Sequence, residues 1–225
     1  MSIGKSWGLL ALTALMTLLM IFMGVWQLSR ADEKRQLQQE WRQRSGISLA
    51  LEEALSISAP FGYRLEVSGV YLAGGDLFLD NQIEGGRAGY RLIRPLQTPY
   101  GLLAVDTGWW PADADRRRLP EVALPDGLVR LSGNLVRPYL PPLSFGGAGE
   151  DPQRRRIAAL DPERLASAWG QGVLPFVLKA GGGGTDEVPV VMGPERHIGY
   201  AVQWFAMALA VWLAALVFYR RRHEA

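Results

Sequence analysis

The sequence predicts a membrane α+β protein, in which two transmembrane helices, one near each end, flank an antiparallel β-rich extracytoplasmic domain with one or more short helices. Two observations place the helices and one places the domain. Residues 7–28 and 198–219 contain no charged residue, and a helix needs about 20 apolar residues to cross the hydrocarbon core of a bilayer. Between these segments, short runs of alternating apolar and polar residues are punctuated by Gly and Pro, which is typical of antiparallel strands.

The first span is predicted at residues 7–28, after a short N-terminus of residues 1–6. Its apolar run is longer than the core of a typical signal peptide, and residues 29–32 contain no A-x-A-like cleavage site. We therefore expect an uncleaved anchor. Residues 29–45 are rich in good helix formers, so they predict a polar helical extension that breaks at Gly46.

Residues 46–192 are expected to form one β-rich domain with its own core. The period of two is clearest where Leu65 and Val67 alternate with polar residues. Further strand-like runs lie at residues 77–79, 90–96, 102–106, 128–136 and 174–178. An antiparallel sheet and a small barrel both fit this pattern. Asp161-Pro162-Glu163 predicts the start of a short helix, because it supplies an N-cap, a first-turn proline and an acidic first turn.

The second span is predicted at residues 196–219, followed by a tail of residues 220–225. Arg220, Arg221 and Arg222 place this tail in the cytoplasm by the positive-inside rule. The residues around the first span count the other way, with Lys5 before it and Arg30, Lys34 and Arg35 after it. We give the triple arginine more weight. The protein is then a multi-pass protein of a bacterial inner membrane, with both termini cytoplasmic and the middle domain periplasmic.

Composition excludes several classes of function. The chain has no cysteine, which excludes disulfides, thiol catalysis and covalent c-type haem attachment. Net charge is +2 and the basic residues form separate clusters, so no nucleic-acid partner is expected. Two clusters, residues 116–118 and 154–156, are expected to be solvated in loops. Asp76, Asp80 and Glu84 surround an expected hairpin and are interpreted as turn formers rather than an acid/base pair.

Aromatic and polar residues gather where the second span begins. His197, Tyr200 and Trp204 lie at i, i+3 and i+7, which places them on one face of a helix. The aromatic residues are also typical of an interfacial belt. His197 is the only histidine outside the tail. Its imidazole could be a haem or metal ligand, a proton carrier or an interfacial hydrogen-bonding group.

The first span ends in a similar way. Trp26 and Arg30 are four residues apart, and Gln27 lies one turn before Arg30. An arginine at this place is also a common helix anchor. Gln27 and Gln203 are costly at this depth unless they find hydrogen-bond partners. They are therefore candidates for partner contacts or contacts between the helices.

Four segments carry a family resemblance: GVWQLSR (24–30), GYRLIRPLQ (89–97), AVDTGWWP (104–111) and RHIGYAVQWFAMAL (196–209). They resemble the Surfeit locus protein 1 family in order along nearly the whole chain, with the same two-span layout. The resemblance implies a non-enzymatic assembly factor, or chaperone, for the haem-copper cytochrome c oxidase of the respiratory chain. It would assist the delivery of haem a to subunit I or its insertion there. The implied partners are subunit I, the haem a synthesis machinery and the lipid bilayer.

The resemblance also suggests roles for single residues. In some bacterial members the histidine at the start of the second span is implicated in haem a binding, a role that falls on His197 as ligand of the haem iron. A transient haem carrier needs one exchangeable ligand, aromatic walls and a cation for a propionate. Arg30 could be that cation, and the walls would come from Trp26 and Trp204. Tyr200 would belong to the same haem-handling or partner-docking surface.

Two alternatives stay open beside this assignment. The protein could be a membrane scaffold that stabilises an oxidase subunit without binding haem, or a periplasmic enzyme. The chain also departs from the family pattern in the middle domain. The family often has Asn-Arg-Gly-Trp where this chain has Asp106-Thr107-Gly108-Trp109.

Overall fold

The computed structural model describes residues 3–115, 118–123, 125–141, 155–180 and 192–224. The chain divides into two compact units. Residues 1–40 together with 188–225 make up the first, here called the helical unit, and residues 41–187 make up the second, the β unit. This division separates the two apolar segments of the sequence from most of the strand-like segments between them.

Two long helices run through the helical unit. α1 spans Ile3–Ser45 and α4 spans Pro194–Glu224. Pro194 lies in the first turn of α4, where a missing N–H breaks no intrahelical hydrogen bond. By length and composition both helices could cross a membrane, over Leu10–Ser45 and Pro194–Arg221.

The apolar side chains of these helices point mostly outward. Only 17% of the apolar window of α1 and 11% of that of α4 is buried, whereas a helix in the core of a soluble protein is apolar and buried on all sides. Leu18, Phe22 and Leu209 are among the exposed residues. Such a surface is stable against lipid chains and unfavourable against water. The helices therefore have the surface expected of membrane spans.

The two helices pack antiparallel within the helical unit. Gly24 lies against the ring of Phe205, and Gln27, one turn further along α1, reaches His197 near the start of α4. A Cβ atom on Gly24 would stand 2.6 Å from a ring carbon of Phe205. The buried residues described in the two helices are small and recur at four- or seven-residue spacing: Thr13, Thr17, Gly24 and Ala31 in α1, and Pro194, Ala201 and Ala208 in α4. This stripe, called the seam, lies on one side of each helix and allows close approach.

The β unit is built on one eight-stranded sheet. Its strands are β1 (Ser48–Leu49), β2 (Arg64–Tyr71), β3 (Leu77–Glu84), β4 (Arg87–Thr98), β5 (Gly101–Pro111), β6 (Leu128–Val136), β7 (Arg156–Ile157) and β8 (Val173–Lys179). They lie in the order β1-β2-β6-β8-β5-β4-β3-β7. β2 also pairs with β4, through Val70 with Gln97 and Tyr71 with Leu96. This pairing closes β2, β6, β8, β5 and β4 into a five-stranded barrel.

Apolar side chains fill the barrel and cover one outer face of the sheet. Along β5, Leu103 and Val105 join the interior core, whereas the alternate residues Leu102 and Ala104 join a second core. The pleat of a strand sends successive side chains to opposite faces, which accounts for the two cores. The short helices belong one to each core: α2 (Leu51–Ser56) to the interior core and α3 (Pro162–Trp169) to the second.

α3 forms where its sequence signals lie. The side chain of Asp161 accepts a hydrogen bond from the Glu163 N–H at 3.0 Å, and Pro162 occupies the first turn. Gly170 ends the helix in the left-handed region, with φ 68°. Trp169 Nε1 donates to the carbonyl oxygen of Gly75 at 2.8 Å, which ties the end of α3 to the turn before β3.

The predicted fold class is confirmed, with a sheet that is mixed rather than wholly antiparallel. Five strand pairs of the described sheet are antiparallel (β2–β4, β2–β6, β3–β4, β4–β5 and β6–β8) and three are parallel (β1–β2, β3–β7 and β5–β8). β1, α2 and β7 were not predicted, because elements of two to six residues are too short to show a period. The strand predicted at residues 77–79 extends to Glu84 through a bulge at Asn81, whose φ is 58°.

The interpretation of Asp76 and Asp80 as turn formers is wrong. Both are buried. A carboxylate oxygen of Asp76 lies 3.1 Å from the Arg94 guanidinium, and one of Asp80 lies 3.7 Å from that of Arg156. A buried carboxylate is stable only when it is paired, so the sheet places an arginine opposite each. The expectation of a solvated cluster at residues 154–156 also fails for Arg156.

Arg94 is the centre of the first of these pairs. Its guanidinium also donates to the carbonyl oxygens of Val122 and Ala123, at 3.1 and 3.0 Å. It lies 5.7 Å from the ring centroid of Tyr71. Burial raises the pKa of the Tyr71 hydroxyl, and the Arg94 charge opposes that shift. Arg94 therefore joins β4, the turn before β3 and the segment before β6.

We predict that Arg94→Met lowers the free energy of unfolding of the β unit by about 3–5 kcal/mol, because it leaves the Asp76 carboxylate buried without its cation. Urea denaturation of the full chain in detergent, followed by tryptophan fluorescence, measures the change. Arg118→Met is the control, since the Arg118 side chain is 78% exposed, and should cost less than about 0.5 kcal/mol. Equal effects of the two substitutions would contradict the assignment.

Candidate functional site

The candidate site lies where α1 and α4 meet near the polar end of α1. Because the helices are antiparallel, the end of the apolar part of α1 and the first turns of α4 reach the same level. Gly24 opposite Phe205 and Gln27 opposite His197 fix this correspondence. The residues predicted from the two ends of the sequence therefore belong to one region of the helical unit.

A hydrogen bond between the two helices is the most specific contact of the site. His197 Nδ1 and Gln27 Oε1 are 2.8 Å apart, and both side chains are half-buried. Since a carbonyl oxygen can only accept, His197 Nδ1 must donate and carries the proton. In the neutral imidazole the other ring nitrogen, Nε2, then keeps its lone pair. No described residue forms a hydrogen bond with Nε2.

Arg30 is already engaged by a residue of its own helix. Its guanidinium forms an ion pair with Glu33, three residues further along α1. The two side chains are 39% and 47% exposed, and a pair in such a position contributes no more than about 1 kcal/mol. The pair is therefore weak enough to exchange with another carboxylate.

The aromatic residues of the site are open to the surroundings. Trp26 is 45% and Tyr200 is 43% exposed, and Trp204 is half-buried. Within the described part of the chain, Trp26 and Tyr200 make no ring contact and no hydrogen bond. Such exposure suits both an interfacial aromatic belt and a surface that receives a planar ligand.

The two glutamines differ in their surroundings. Gln27 has the imidazole of His197 as a partner. Gln203 is exposed and has no hydrogen bond with any described residue. The structure thus pairs one glutamine between the helices and leaves the other facing outward from α4.

The donor set of the site suits a haem better than a bare metal ion. Among the described residues, no group of three or more His, Asp or Glu side chains is close enough to hold a metal ion. A haem brings four ring nitrogens of its own and needs only one or two protein ligands. His197, with a bare Nε2 and a hydrogen-bonded Nδ1, has the arrangement common to metal-binding histidines.

The sequence contained a signal for the contact between Gln27 and His197, although it predicted no pairing. Each is a polar residue within or beside an apolar helix, and such residues find partners on neighbouring helices. The pairing of Arg30 with Glu33 also had a signal in its i, i+3 spacing.

The three carboxylates considered for acid/base chemistry, Asp76, Asp80 and Glu84, form ion pairs. Arg94 pairs with Asp76, Arg156 with Asp80, and the Arg91 guanidinium lies 3.9 Å from a carboxylate oxygen of Glu84. Asp76 and Asp80 thus have structural roles in the β unit, whereas Glu84, whose side chain is 56% exposed, forms only a surface pair.

Comparison with known proteins places the whole arrangement in one family. The model of the SURF1 family matches residues 14–209, a range that includes the strands of the β unit, the site and most of both helices. No curated protein sequence matches the chain. The family is one of cytochrome oxidase assembly factors rather than enzymes. Because the match covers most of the chain, the protein belongs to the SURF1 family.

Proposed function

We propose that this protein assists the delivery of haem a to subunit I of a haem-copper cytochrome c oxidase, or its insertion there, by holding the haem transiently where α1 and α4 meet. The observation that carries the proposal is the hydrogen bond from His197 Nδ1 to Gln27 Oε1, which leaves Nε2 bare. Membership of a family of oxidase assembly factors supports the oxidase as the client.

The residues of the site have distinct roles in this proposal. His197 Nε2 would hold the haem iron, which would supply the Lewis acid. Arg30 exchanges its weak contact with Glu33 for a haem propionate, a charge-assisted pairing of the same kind. The exposed Trp26 and Tyr200 and the half-buried Trp204 would offer aromatic surface to the porphyrin. A single histidine and a weakly held cation suit a carrier that must release its cargo.

The proposed surroundings follow from the helices and the family. Both helices cross a bacterial inner membrane, so that the β unit is periplasmic and both termini are cytoplasmic, as the triple arginine after residue 219 indicates. The partners are then subunit I, the haem a synthesis machinery and the lipid bilayer. No catalytic role is proposed for the protein.

A second candidate function is a membrane scaffold that stabilises subunit I without holding haem. The observation that favours it is the pairing of Arg30 with Glu33, which already neutralises the cation proposed for a propionate. Both candidates need the α1–α4 packing, and only the first needs His197 as a ligand.

We predict that the purified protein, supplied with haem a, shows a shifted Soret band and that His197→Ala abolishes the shift, because the side chain that would hold the haem iron is removed. His223→Ala is the matched control, since His223 is the other of the two histidines of the chain. An absorption titration measures both. No Soret shift in the wild type, or an unchanged bound spectrum in His197→Ala, would contradict haem binding. Oxidase assembly that survives His197→Ala would favour the scaffold.

We expect Gly24→Leu to disrupt the α1–α4 packing, because a side chain there meets the ring of Phe205. Overpacking of this kind costs about 1–3 kcal/mol, and oxidase assembly should fall under either candidate function. Gly8→Leu is the control, since nothing lies within 4 Å of a Cβ placed on Gly8. Assembled oxidase is measured by its haem a absorbance in isolated membranes. Normal assembly with Gly24→Leu would refute a role for this packing.

The orientation can be tested directly because the chain has no cysteine. We expect a membrane-impermeant maleimide, applied to cells with a permeabilised outer membrane, to label Ser68→Cys in the exposed face of β2. The same reagent should label Ser2→Cys and Glu224→Cys only after lysis. The opposite pattern would place the β unit in the cytoplasm.

A further inference from the structure

Gln27 makes a contact that goes beyond holding two helices together. Its amide oxygen lies 2.8 Å from Nδ1 of His197, on the opposite helix. We propose that Gln27 is the positioning residue that fixes the tautomer of His197 and thereby makes Nε2 the metal-binding atom. The inference deepens the proposed function, since it concerns the same histidine.

The need for such a residue follows from the chemistry of imidazole. A neutral histidine carries one proton on either ring nitrogen, and the free side chain in water favours the proton on Nε2. In that tautomer Nε2 has no lone pair to offer a metal. An acceptor placed at Nδ1 reverses the preference, because only the Nδ1–H form can donate to it. The carbonyl oxygen of Gln27 is such an acceptor.

The surroundings of Gln27 strengthen this preference. Gln27 and His197 are half-buried beside the seam, where Gly24, one turn before Gln27 on α1, packs against Phe205. Half-buried groups have fewer solvent molecules within reach to replace a lost hydrogen bond than fully exposed groups have. The histidine therefore keeps the tautomer that satisfies Gln27. A single acceptor also orients the ring, because the imidazole plane must contain the N–H bond that points at the amide oxygen.

The choice of an amide rather than a carboxylate is informative. A carboxylate at Nδ1 would raise the basicity of the imidazole and strengthen its bond to iron. The neutral amide of Gln27 fixes the tautomer without this gain in ligand strength. This combination is the one expected of a carrier that must both bind and release.

The first experiment tests the tautomer without any haem. The full chain is labelled with ¹⁵N-histidine in lipid nanodiscs, where a bare ring nitrogen resonates far downfield of a protonated one. His197→Ala identifies the signals, since the chain has two histidines. We expect Nδ1 of His197 to be protonated and Nε2 to be bare in the wild type. Gln27→Leu should move the proton to Nε2, whereas Gln27→Glu, which keeps an acceptor oxygen, should leave Nδ1 protonated.

The matched control is Gln203→Leu, the same substitution at an exposed glutamine of α4 that bonds to no described residue. It should leave the His197 signals unchanged. A wild-type His197 with its proton on Nε2 would overturn the proposal. So would a Gln27→Leu spectrum identical to the wild type. Either result stands whether or not the protein binds haem, so it is distinct from a failure of the proposed function.

The second experiment asks whether the tautomer matters for binding. Ferric protohaem is titrated into the wild type, Gln27→Leu and Gln203→Leu, and binding is followed by the Soret band. Loss of an outer hydrogen bond to a metal ligand lowers affinity by about 10–100-fold, and we expect a loss in this range for Gln27→Leu alone. Equal affinity of the wild type and Gln27→Leu would overturn the proposal. If the wild type binds no haem, the haem assignment fails and the nitrogen signals alone decide the role of Gln27.

Discussion

A polar side chain beside an apolar helix contact is stabilised by a partner on the neighbouring helix, and one such pair holds the candidate site together. Gln27 and His197 satisfy each other across the two helices. Their pairing also fixes the register of α1 against α4, because any slip along the axis would separate two groups that need each other. The small residues of the seam make the approach possible, and Gly24 against Phe205 shows how little space is left.

The β unit meets the same need for partners in a different way. Its barrel is closed by the pairing of β2 with β4. Apolar side chains from both strands, Tyr71 and Leu96 among them, pack in the interior core. A charged pair is buried beside this core, where Arg94, whose partner Val105 on β5 belongs to the interior core, neutralises Asp76 and binds two backbone carbonyls. Asp76 and Asp80 are the buried carboxylates considered for acid/base chemistry, and each has an arginine opposite it.

The two units contribute differently to the function of a SURF1-family protein. The helical unit contains every residue of the candidate haem site: a histidine with one committed and one bare nitrogen, a weakly paired arginine and exposed aromatic rings. These properties favour reversible binding of a ligand, since none of them provides a strong, permanent bond to it. The β unit is a folded domain with three hydrophobic clusters of its own, and its buried ion pairs join its own elements.

The sequence by itself determined the features that depend on neighbouring residues. The two candidate spans followed from charge-free length, the strands from a period of two, and α3 from Asp161, Pro162 and Glu163. The family followed from motifs spread over nearly the whole chain and is confirmed by the match to residues 14–209. The face that carries His197, Tyr200 and Trp204 followed from helical spacing alone.

The tertiary structure decided what depends on residues far apart in the chain. Gln27 and His197 are separated by 170 positions, so neither sequence neighbourhood could name the other as its partner. The same holds for Asp80 and Arg156, and for the parallel pairing of β5 with β8 that made the sheet mixed. Local sequence records which groups need a partner, because that need is a property of each residue and its element. The identity of the partner depends on the tertiary fold, because the two groups must lie close together in space.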